Sequence, residues 1–67
     1  METFKFIIVA EDGTSKLETT DKELAQQASM MLDGFRLIMI DPRGGIWKFS
    51  GMNAWAEAAE AAEIIGE

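Results

Sequence analysis

The chain has 67 residues, twelve acidic and six basic side chains, a net charge of −6, and neither His nor Cys. These counts exclude a disulfide framework, a thiolate zinc site and a His or Cys catalyst. They also set one core as the ceiling, because so short a chain buries only ~60% of its unfolded surface, and they argue against direct nucleic-acid binding, which draws on clustered Lys and Arg.

Phe4 to Ala10 is aromatic and β-branched, the composition of a strand. Asp12-Gly13 follows and predicts a hairpin through a type I′ turn. Thr14 to Thr19 is the expected return strand; with Leu17 its only apolar residue, it belongs at a sheet edge. Thr20-Asp21-Lys22-Glu23 reads as a capping box with Thr20 as the cap. The helix is expected to run to about Asp33, with Leu24, Ala28, Met31 and Leu32 as its buried stripe and Gly34 as a left-handed terminator.

Phe35 to Ile40 is a second strong strand, and Asp41-Pro42-Arg43-Gly44 matches a type I turn. Ile46 to Phe49 returns, and Ser50 is the expected cap of a second helix over roughly 52–65, closed by Gly66. Trp55, Ala58, Ala59, Ala62 and Ile65 should pack on the sheet, and Trp47, Phe49 and Met52 should join the core. The order ββαββα predicts an α+β fold: a four-stranded antiparallel sheet with two helices on one face. It is read as a single domain over 1–67. Phe4–Val9 aligns with Phe35–Ile40, and Gly13 and Gly44 fall at the same offset, so 3–34 and 35–67 read as candidate ββα repeats.

Side chains alternate along a strand. With Phe6, Ile8, Leu37 and Met39 facing the helices, Ile7, Val9, Ile38 and Ile40 face away and form an uncovered apolar patch, the mark of a partner or dimer interface. On the last helix Glu57, Glu60, Glu63 and Glu67 share a broad acidic sector that suits a basic partner surface. Asp41 to Gly45 could form an anion nest, though ordinary turn chemistry explains it more simply. No catalytic pair, cofactor motif or metal-ligand spacing is present, and Asp33 and Asp41 lie roughly 20 Å apart at opposite ends of one strand.

These features predict a small acidic non-enzymatic binding protein, without cofactor or metal, that inhibits or modulates a macromolecular partner by occupying its surface. Its size and charge resemble those of phage-encoded inhibitors of nucleic-acid-handling or defence complexes, anti-CRISPR proteins among them, in which carboxylates act as a nucleic-acid decoy. The alternative is a homo-oligomeric structural or regulatory module, a homodimer for example, with the open sheet face as its interface. The longest apolar run, Phe6 to Ala10, is too short for a bilayer span, and the start Met1-Glu2-Thr3 lacks a leader pattern. The expected location is cytoplasmic, the host cytoplasm for a phage product.

Overall fold

A computed structural model describes residues 3–66. It contains β1 (Lys5–Ala10), β2 (Lys16–Thr19), α1 (Lys22–Met30), β3 (Phe35–Ile40), β4 (Ile46–Ser50) and α2 (Ala54–Gly66). The strands form one antiparallel sheet in the order β2-β1-β3-β4, so the two apolar strands lie at its centre and the polar β2 at an edge, as composition dictates. The fold is the expected α+β arrangement.

Both helices cover one face. Phe6, Ile8, Leu37 and Met39 point from the central strands into a core completed by Ala25 of α1 and Ala54, Ala58 and Ala61 of α2. The division of labour is physical: large side chains come from the sheet, and alanines let the helices lie close to it. α1 covers β1 and β2, while α2 covers β3 and β4. Phe6 and Trp55 stack at a tilt with ring centroids 5.9 Å apart. The Trp55 indole donates to Ser29 Oγ at 2.8 Å, and that hydroxyl donates to the Gln26 carbonyl at 2.8 Å, which satisfies the one buried polar side chain among the described residues.

Several local expectations are corrected. Asp21 rather than Thr20 caps α1: its carboxylate accepts from the Leu24 N–H at 3.3 Å. An aspartate at this position also favours the positive end of the helix dipole. α1 ends at Met30, and Ala25 and Ser29 are its buried residues; Leu24 and Met31 are exposed. The indole of Trp55 needs a buried acceptor, and the helix face carrying Ser29 supplies it. Gly34 is not left-handed. Its carbonyl accepts from Glu11 N–H at 3.0 Å, and a β-carbon there would meet only the flexible end of the exposed Glu11 side chain, which can swing aside.

The first turn is not type I′, because no described non-glycine residue has positive φ. Gly13 N–H instead bonds the Ala10 carbonyl at 2.8 Å with Gly13 alone at φ +79°, and Asp12 Oδ1 accepts from Thr14 N and Oγ1. The second turn follows the type I expectation, with Gly44 N–H on the Asp41 carbonyl at 3.0 Å. Ser50 belongs to β4 opposite Arg36; Gly51, at φ +88°, ends the strand, and α2 starts only after Asn53, whose carbonyl accepts from Glu57. Ala59 faces solvent, with Ala61 in the core instead. Met52 is fully exposed in the loop before α2, and Trp47 is 39% exposed.

Candidate interaction surface

The face of the sheet opposite the helices is defined by the strand register. One row across it reads Glu18, Ile7, Ile38, Lys48; the next reads Lys16, Val9, Arg36, Ser50; a third holds Lys5, Ile40 and Ile46. Ile7, Val9, Ile38 and Ile40 therefore come together as the sequence predicts, in one half-buried apolar stripe along the two central strands. Ile46, 65% exposed, extends it on β4.

The rim of this stripe is cationic. Lys5, Lys16, Arg36 and Lys48, four of the six basic residues, frame it together with one acid, Glu18. The face carries a net +3 within a chain of −6, so the remainder of the molecule carries −9. The two halves of the frame differ. On the β2 side Glu18 pairs with Lys5 at 2.9 Å and with Lys16 at 3.2 Å, and these bonds, Lys5 first, hold its carboxyl below the usual glutamate value. On the β4 side Arg36 and Lys48 have no ion-pair partner among the described residues. They flank a shallow groove of about 480 Å³ with Val9 and Ile38 in its lining.

This cationic frame is what composition alone conceals. The signal is present in the alternation of Lys16-Leu17-Glu18 and Trp47-Lys48-Phe49: each strand has one inward apolar face, and its charges necessarily share the other with the isoleucines.

The acidic sector lies elsewhere. Glu57, Glu60 and Glu63 are exposed along α2, without ion pairs among the described residues; Glu67 lies outside the described residues. The turn at Asp41 is occupied by its own side chain. Asp41 Oδ1 accepts from the amides of Arg43 at 2.9 Å and Gly45 at 2.8 Å, while Oδ2 accepts from the Trp47 indole at 3.1 Å. Those bonds, the indole first, lower the Asp41 pKa, and they leave the turn amides committed internally. Among the described residues no cluster of acids is placed to hold a metal ion, and no helix is long and apolar enough to cross a membrane. Comparison with protein-family models, curated proteins and solved structures finds no match to this chain.

Proposed function

We propose that this chain is a non-enzymatic binding protein that modulates a macromolecular partner by occupying its surface, and that the open sheet face makes the contact. One observation carries the reading: the register places Ile7, Val9, Ile38, Ile40 and Ile46 side by side on a face that neither helix covers. Contiguous apolar side chains rimmed by charge are the anatomy of an interface. The central isoleucines supply the hot spot, and the cations set orientation and encounter rate.

A photo-crosslinking amino acid in place of Ile46 tests this in the producing cell, with the same group at Ala59 on the outer side of α2 as the comparison. A discrete adduct from position 46 that disappears in Ile7→Asp is the expected result. Adducts from position 59 alone would overturn it. They would favour the second reading, a nucleic-acid-like decoy of the kind found among phage inhibitors, in which the exposed Glu57, Glu60 and Glu63 meet a basic surface. Reversal of those three to Lys should then abolish binding and leave the fold intact. An adduct between two copies from position 46 would identify the alternative homo-oligomer, which light scattering should report as a salt-resistant dimer.

A further inference from the structure

We infer that the groove between β3 and β4 on the open face takes an acidic, apolar-anchored segment of a partner protein. This rests on the sheet-face reading above and adds the chemistry of the occupant. Three observations converge on the same few residues. First, charge is segregated: the face is +3 while the rest of the chain is −9, so an acidic partner is attracted at this face and repelled elsewhere. Second, the cations of this half have no ion-pair partner among the described residues. Arg36 lies opposite Ser50 and Lys48 opposite Ile38, so the two are diagonal neighbours roughly 7–8 Å apart, their β-carbons somewhat closer. That spacing suits two carboxylates on one extended or helical segment, with the Arg fork able to take one of them in bidentate fashion. Third, the floor between them is aliphatic, with Val9 and Ile38 lining the groove. A Leu, Ile or Phe of the segment gains hydrophobic contact there, while its acidic neighbours reach the rim.

The same features weigh against the other polyanion. No aromatic side chain lies on this face to stack a base, and the net charge of −6 opposes a long phosphate chain. A second copy seated face to face would bring one cationic frame against another. Arg36 and Lys48 sit on the solvent side of the sheet, so changing them leaves the core intact.

The test is selection of binders from a displayed library of random dodecapeptides against the full chain, followed by affinity measurement on wild type, on Arg36→Gln/Lys48→Gln and on Ile38→Asp. The expected outcome is enrichment of acidic peptides bearing aliphatic or aromatic residues. They should shift the amide resonances of Val9, Arg36, Ile38 and Lys48, and lose about tenfold or more in affinity for the double variant. Enrichment of basic peptides, or of none, overturns the inference, as does oligo(dT) binding this face as tightly as the selected peptides. Peptides that bind the double variant as well as wild type but fail on Ile38→Asp would sink the charge assignment and leave the sheet-face reading standing. Peptides indifferent to all three substitutions would remove both.

Discussion

The sheet has two apolar faces made by alternate residues of the same two strands, and they meet different fates. Phe6, Ile8, Leu37 and Met39 are sealed under the helices; Ile7, Val9, Ile38 and Ile40, their immediate neighbours, are left half-buried without a covering element. The difference lies in what surrounds each set. On the covered side the neighbours are Ala25, Ala54, Ala58 and Ala61, small enough for close packing. On the open side they are Lys5, Lys16, Arg36 and Lys48, exposed charged residues that bring no covering layer. Apolar composition sets how much surface must be buried, and the neighbours decide whether this chain buries it itself.

The sharpest way to break the comparison is to truncate one residue on each face of β3. Leu37→Ala should lose about 2–5 kcal/mol by opening a cavity, enough to unfold much of so small a domain. Ile38→Ala should lose less, about 1 kcal/mol, because its side chain is only partly buried. Urea midpoints at constant slope measure both; equal losses would show that the open face is packed after all. Next in size is the polar contact within the covered layer. Ser29→Ala strands the Trp55 indole N–H and should cost about 1–3 kcal/mol. Trp47→Phe, which removes an indole bond to a solvated carboxylate, should stay within about 0.5 kcal/mol.

Gly44→Ala follows. At φ +91° a β-carbon meets no neighbour but the backbone is left-handed, so a loss of about 1 kcal/mol is expected from conformation alone. The smallest effect is on pH dependence. Asp41 and Glu18 have lowered native values, so each contributes stability that is full above the ordinary carboxylate range and is lost as pH falls through the native value. Asp41→Asn should flatten the acid limb of a thermal-melt series; an unchanged limb would mean that other carboxylates govern it.

How far the fold was legible follows from the strength of local signals. Phe35–Ile40 and its turn are plain because β-branched composition, Asp-Pro and Gly act together, and alternation along β1 and β3 sorted the two faces correctly. The cap of α1 was misread by one residue because Thr20 and Asp21 are both good caps, and only the geometry of the entering strand chooses between them. The stripe of α1 was misread because Ser29 looks like a solvent residue until Trp55, 26 positions away, claims its hydroxyl. The rim of the candidate site was legible only in part: alternation puts Lys5 and Arg36 on the open face, whereas Lys16 and Lys48 are scattered in sequence and only register brings them alongside.

The pairing of Ile7 with Ile38 has one more consequence. These residues are 31 positions apart, as are Lys5 and Arg36, Val9 and Ile40, and Gly13 and Gly44, so a local dyad runs through the sheet between β1 and β3. The dyad exchanges like for like along the central strands. At the edges it exchanges Glu18, opposite Ile7, for Lys48, opposite Ile38, and Lys16, opposite Val9, for Ile46, opposite Ile40. The central strands are therefore nearly indifferent to a half-turn, and the edges are not, in charge above all. An acidic segment laid across it as proposed meets a compass, its carboxylate end pointing toward β4. In the double exchange Glu18→Lys with Lys48→Glu, that needle should swing round.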